Sequence, residues 1–317
     1  PQASVGTFSV LHAHLGAFCF LEVIIVADKE FKTIAEQIAI LESRGLQIPD
    51  KALACDFLHR NNYYRVSGYS LTLRNHDVFA PSATFQNIID IYEFDYNLRH
   101  ILLKYIETIE VTVKSIYSYE FTRVYGAAGY LNAVNFTNAA THADIMQKAE
   151  TQKNLRLQHE AYLKHFVNEL QQDIPLWAFV DLLTISNISF LYKISKPEIK
   201  LAVANALGLT KRGDEVLERF MHHMTIIRNL CAHGSRLYNR LFEQKPWLSK
   251  HEYALLISLQ DGTVDNAHLY GFILIMRRLL KPDEFSEMKN EIASLTRKYP
   301  FVNMRYYGFR ADWESVL

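Results

Sequence analysis

The chain reads as helix after helix. Residues 31–44 place Ile34, Ile38 and Leu41 three or four apart, an apolar stripe of helical period, and Gly45 follows where a helix would stop. Ile48-Pro49-Asp50 reads as a turn, with Asp50 as N-cap of a helix from Lys51 to about Arg60. Residues 61–70, NNYYRVSGYS, carry Asn-Asn and Ser-Gly breakers and predict an irregular, aromatic-rich connection. From Phe85 to Tyr125 there is neither Gly nor Pro, while Ile88, Ile91, Leu98, Leu102, Ile106, Ile109 and Val113 recur at helical spacing. This predicts one very long helix, or two nearly collinear ones with Asp95 capping the second. Residues 126–141 are small and polar and read as a loop, and 142–171 as a polar-faced helix broken by Pro175. Leu176 to Ile194 reads as an apolar helix with Trp177, Val180, Leu183 and Phe190 in the core. Pro197 to Leu207 is a short helix closed by Gly208, and Asp214 caps the next, which runs into Arg228. Residues 249–298 give two or three amphipathic helices interrupted near Asp261-Gly262 and Pro282. With no alternating strand series and no internal repeat, the expected fold is all-α.

Composition agrees with a packed core: 49% of the 317 residues are apolar and 21% charged. Glycine and proline are scarce, which disfavours a many-stranded sandwich. The apolar run from Leu15 to Ala27 is interrupted by Glu22 and falls short of the ~20 residues a membrane span needs. No basic residue other than His precedes it, unlike a signal peptide. Residues 1–28 are therefore expected to be an extension that packs a helix or strand on the core, with no membrane association. Cys19, Cys55 and Cys231 are far apart, odd in number and without a CxxC pair, which argues against a disulfide scaffold and fits a reducing, cytoplasmic setting.

Charge changes the picture locally. Lys plus Arg and Asp plus Glu number 34 each, so the chain is not one that coats nucleic acid indiscriminately. Between Arg228 and Lys250, however, five basic residues face one acidic residue, Glu243. Here lies IIRNLCAHGSRLYNR, residues 226–240, where polar groups gather at the end of an apolar helix. A His near neutral pKa can take the proton of an RNA 2′-hydroxyl or deliver one to the leaving 5′-oxygen. An Arg can hold the phosphate through two parallel hydrogen bonds as charge develops there. Arg228 and His233 fit these roles, with Asn229 beside the Arg, and the chemistry needs no metal and no cofactor. On an ideal helix the two lie ~140° apart, so they converge only if the helix distorts near Gly234 or a second copy supplies its own pair across a two-fold axis. On spacing alone, His233 also fits a helix C-cap and Arg228 a surface ion pair. The His222-His223 pair lacks a third ligand for zinc, Glu107 and Glu110 are candidates to orient the arginines, and the tyrosines of 63–69 can either pack or stack on bases.

RNLCAHGSRLYNR resembles the RN-x-x-AH-x-x-RL-x-NR signature of the Abi-like (AbiD/AbiF) abortive-infection proteins of the HEPN superfamily. NNYYRVSGY, YEFDYNLRHILLKYIETIEVTVKS and IPLWAFVDLLTIS resemble further elements of that family, in its order, with Asp181 where the family often has Glu. The resemblance implies a helical HEPN core in residues 85–317, preceded by a helical region in 29–84. It also implies a metal-independent endoribonuclease, dimeric, acting on RNA in phage defence or as a toxin, and controlled in AbiF-like members by a small RNA. Arg228 and His233 become the catalytic pair, with Asn229 as auxiliary. Arg236, Asn239 and Arg240 fall at flanking positions suited to RNA or dimer contacts, and Tyr64 and Arg65 are candidate RNA contacts. Ser235 stands where some HEPN toxins carry a modifiable Tyr. The other reading is a HEPN dimer that binds RNA or a protein without cutting it.

Overall fold

The computed structural model describes residues 30–317. The expectation for residues 1–28, and Cys19 with it, lies outside the described residues. The described chain is all-α, with a single two-stranded hairpin.

Two short helices open it, α1 (Ile34–Ser43) and α2 (Lys51–Asn61). Thr33 and Glu36 form a capping box on α1, and the Asp50 carboxylate accepts from Leu53 N, so the expected N-cap is present. The breaker-rich stretch after them is more ordered than its composition suggests. Asn62 takes φ +60° and its side chain caps a one-turn helix, α3 (Tyr63–Ser67). The hairpin β1 (Arg74–Asn75) and β2 (Val78–Phe79) follows. This region docks on the next helix through Phe57, whose ring meets Phe85 and Tyr92 edge-on.

That next helix, α4 (Phe85–Tyr125), is one unbroken rod of 41 residues, ~62 Å long. Thr84 and Asn87 close its N-terminus reciprocally, and Gly126 at φ +77° ends it. Asp95 caps nothing: it is buried inside the rod. The stripe from Ile88 to Phe121 is covered by α7 (Leu176–Phe179), α9 (Pro197–Ala206), α10 (Gly213–Ala232), α12 (Tyr270–Leu279) and α13 (Pro282–Lys298). Between α4 and α7 run α5 (Ala139–Arg156) and α6 (Ala161–Lys164), and a π turn follows α6. The polar stretch 142–171 is thus three pieces rather than one helix.

Leu176–Ile194 also divides. α7 tightens into a 3-10 turn, Leu183 turns extended at ψ 137°, and Thr184 starts α8 (Ile185–Ile194) by accepting from Asn187 N. The break rotates the two halves, so Val180 and Leu183 are buried as expected, while Trp177 is 57% and Phe190 49% exposed. α10 begins two residues before the expected position: Arg212 at φ +50° precedes it in place of Asp214, and Asp214 and Glu215 lie in its first turn, where the helix dipole favours them. α11 (Lys250–Tyr253) and α14 (Trp313–Val316) complete the set. Among the described residues no helix is long and apolar enough to cross a membrane.

Candidate functional site

α10 packs on α4 and delivers the polar cluster at its C-terminus. His233 is the C-cap, with φ −87° and ψ 8°. Gly234 follows at φ +64°, a left-handed conformation that glycine adopts without strain. Gly234 N donates to Cys231 O at 3.1 Å and Ser235 N to Leu230 O at 2.8 Å, the paired bonds of a Schellman ending. The helix is therefore regular through Ala232 and stops cleanly. Arg228 and His233 keep their ~140° separation, and no hydrogen bond joins them. Asn229 and His233 are exposed, Arg228 is half-buried, and Arg228 Nη1 donates to Asn229 Oδ1 at 3.3 Å.

Beyond Gly234 the chain makes a loop, residues 234–240, organised around one carboxylate. Asp95 accepts from Leu237 N at 3.2 Å, Tyr238 N at 2.8 Å, the Tyr69 hydroxyl at 2.8 Å and the Tyr307 hydroxyl at 3.0 Å. It also pairs with Arg99 one turn along α4. Arg99 in turn donates to the Tyr69 hydroxyl at 3.3 Å and to Ser235 O at 3.4 Å. Both ions are almost completely buried. Burial pushes the Asp95 carboxyl up, against Arg99 and the hydrogen bonds. Every neighbour is a donor, so the network is built for the ionised form. The same burial pushes the Cys231 thiol up to about 12, which keeps it protonated and unreactive.

The YYRVSGY element supports the loop from the other side. Arg65 Nη2 donates to Gly234 O at 2.5 Å and Nε to the Tyr92 hydroxyl at 3.2 Å, with the guanidinium over the Tyr92 ring. Gly68 lets Arg236 approach: a Cβ there would stand 3.3 Å from Arg236 Nε. The Thr72 and Tyr238 hydroxyls are 2.6 Å apart. On the C-terminal side, Asn239 at φ +49° donates its N–H to Tyr306 O at 3.0 Å.

The arginines around this loop share one property. Among the described residues, Arg65, Arg228, Arg236 and Arg240 form no ion pair. Arg236 Nη1 is tied to Tyr238 O at 2.6 Å and Arg240 Nη1 to Arg236 O at 3.3 Å, which leaves further N–H donors on each fork. Burial, and after it the nearby Arg236, pull the Arg240 pKa below its usual value. Such a cluster is short of negative charge and accepts an anion readily.

Arg228, Asn229, His233, Arg236, Asn239 and Arg240 all lie on the end of α10 or its following loop. Tyr64 is 85% exposed, while Arg65 is engaged in holding the loop. Asp181 is exposed, and its carbonyl accepts from Arg156 at 3.1 Å. Glu110 pairs with Lys114, and Glu107 is exposed. The carboxylate that orients the loop is instead Asp95. The EFDYNLR segment carried it, but as a helix cap. His222 is exposed beside Gln244, and His223 is buried. Among the described residues no group of three His, Cys, Asp or Glu side chains is placed to hold a metal.

An all-α protein with an arginine-rich loop at the end of one helix, clamped by a buried Asp–Arg pair, is the class these features define. A family profile described as Abi-like protein matches residues 56–239, from α2 through the loop. The chain belongs to the Abi-like family, which links it to abortive infection and so to phage defence. No curated protein and no solved structure matches it.

Proposed function

We propose that the chain is a metal-independent endoribonuclease of the HEPN type that works as a two-fold dimer in phage defence. One observation carries this: Arg228 and His233 lie on different sides of a regular helix, at or near solvent, and beside arginines that have no carboxylate. Within one copy they do not meet. A second copy placed antiparallel across the end of α10 brings Arg228 of one to His233 of the other. In such a groove His233 takes the proton of the 2′-hydroxyl, and the 2′-oxygen attacks the adjacent phosphorus. The bond to the 5′-oxygen breaks, and that oxygen leaves with a proton delivered by the His233 imidazolium, which returns to its neutral form. Arg228 holds the non-bridging oxygens, and Asn229 steadies Arg228. Arg236 and Arg240 hold flanking phosphates, and a regulatory small RNA would compete for the same positive loop.

The products are a 2′,3′-cyclic phosphate and a 5′-hydroxyl, and EDTA leaves the rate unchanged. Arg228→Ala and His233→Ala each abolish cleavage. Mixed in equal amounts and refolded together, the two variants recover about a quarter of wild-type activity, because half the dimers are mixed and each has one intact composite site. No recovery overturns the composite site. RNA that is bound by the wild type but never cut overturns catalysis and leaves a binding module.

A further inference from the structure

The chain after the loop turns back along α10. Gln244 Oε1 meets His222 Nε2, the Lys245 main chain lies against His223, and Trp247 reaches Arg219. This returning segment is firmly seated. Phe242 N donates to Ala267 O at 2.7 Å, and the Phe242 ring packs on Phe272 at 4.5 Å. Pro246 O accepts from Asn266 Nδ2 at 2.8 Å. The seating leaves Trp247 39% exposed, with the Arg219 guanidinium 5.8 Å from its ring.

Positions 219, 222, 226, 229 and 233 fall within ~80° of one another around α10, so Trp247 and Arg219 share a face with Asn229 and His233. The two ends of that face are ~21 Å apart along the axis. Its charge is one-sided. Arg219, Lys245 and Lys250 form no ion pair among the described residues. The nearby acids are neutralised elsewhere: Glu215 by Arg212, Glu218 by Lys200 and Glu252 by Arg278. Glu243 is the one carboxylate of the returning segment left without a cation.

We infer that Trp247 and Arg219 form a second, distal subsite, which stacks an unpaired base of a single-stranded RNA whose backbone crosses His233. This rests on the nuclease reading only for the direction in which the strand runs. A half-exposed indole next to a guanidinium plane offers the two surfaces on which unpaired bases stack, and the unpaired lysines beside it suit the strand's phosphates. A strand confined to the Arg228–His233 end gains nothing from Trp247, and one that spans the face gains a stacked base.

The test uses the full chain carrying His233→Ala, so that RNA is not consumed, with end-labelled oligouridylates of about 4 and about 12 nucleotides followed by anisotropy. The longer strand binds more tightly, and Trp247→Ala lowers its affinity by about tenfold without moving that of the short one. Trp247→Phe retains most of the affinity, and Arg219→Ala lowers it less than Trp247→Ala does. Equal affinity of both strands for the parent, or an unchanged long-strand affinity in Trp247→Ala, overturns the subsite. So does conversion of Trp247→Ala to a smaller oligomer by light scattering, which makes the ring a contact between copies. Failure of the wild type to cut any RNA is a separate result: it removes the nuclease reading and leaves the length-dependent loss at Trp247 standing.

Discussion

The loop at residues 234–240 and the last turn of α10 are neighbours in the chain and opposites in construction. The loop is held from every side: by Asp95 and Arg99 from α4, by Arg65 and Tyr69 from the N-terminal region, and by Tyr306 and Tyr307 near the C-terminus. Among the described residues, the side chains of Arg228, Asn229 and His233 make a single hydrogen bond, from Arg228 to Asn229. The difference teaches where rigidity is required. The backbone that aims the arginines is over-determined, whereas Arg228, Asn229 and His233 keep open donors and acceptors, which is what the proposed two-fold site requires.

Removing the clamp should cost most. Asp95→Ala leaves Arg99 buried without its counter-ion and two loop N–H groups without acceptors, a loss of about 3–5 kcal/mol read by urea denaturation. Asp95→Asn keeps the shape and is expected to lose less. A clamp variant as stable as wild type would show that the loop holds itself.

Next in size is an acid effect from the buried histidine of α10. Burial, and after it the neighbouring His222, lower His223 to about 4, and its Nδ1 has no partner among the described residues. The unfolded chain takes up that proton near pH 6.5 and the folded chain only near 4. Stability is therefore fully present above pH 6.5, falls as pH drops through that window, and levels off below it. The loss amounts to about 3 kcal/mol, seen as a falling denaturation midpoint that His223→Phe flattens.

Gly234→Ala is smaller. The new Cβ has ordinary room, 3.5 Å from Arg65 Nη2, so the cost is that of forcing φ +64° on alanine, about 1 kcal/mol. Smallest is His233→Ala, whose exposed ring should leave stability within about 0.5 kcal/mol while cleavage disappears. A large destabilisation by that variant would collapse the contrast between the two regions.

Much of this was legible in the chain itself. The Gly- and Pro-free run at 85–125 is a single helix, and Asp50, Pro197 and Gly208 mark the boundaries their chemistry predicts. The separation of Arg228 from His233 follows from helical period alone, and the regular helix preserves it. Elsewhere local pattern failed for local reasons: Thr184 and Asn187 form a cap inside an apolar run, which turns Trp177 and Phe190 outward. Asp95 was beyond reach for a different reason. Its partners come from residues 69, 99, 237, 238 and 307, and no window around position 95 contains more than one of them. Arg65 shows the converse: an arginine beside tyrosines suggests an RNA contact, and nothing in its neighbourhood announces that it also pins Gly234.

The clamp also sets an order in time. A ribosome making this chain releases Asp95 first, Arg228 and His233 well over a hundred residues later, and Tyr306 and Tyr307 some seventy after that. Until those two tyrosines emerge, Asn239 N lacks its acceptor and Asp95 lacks a donor. A nascent chain thus carries the whole polar cluster before it can aim it, and the loop is assembled only once residues 306 and 307 have left the ribosome.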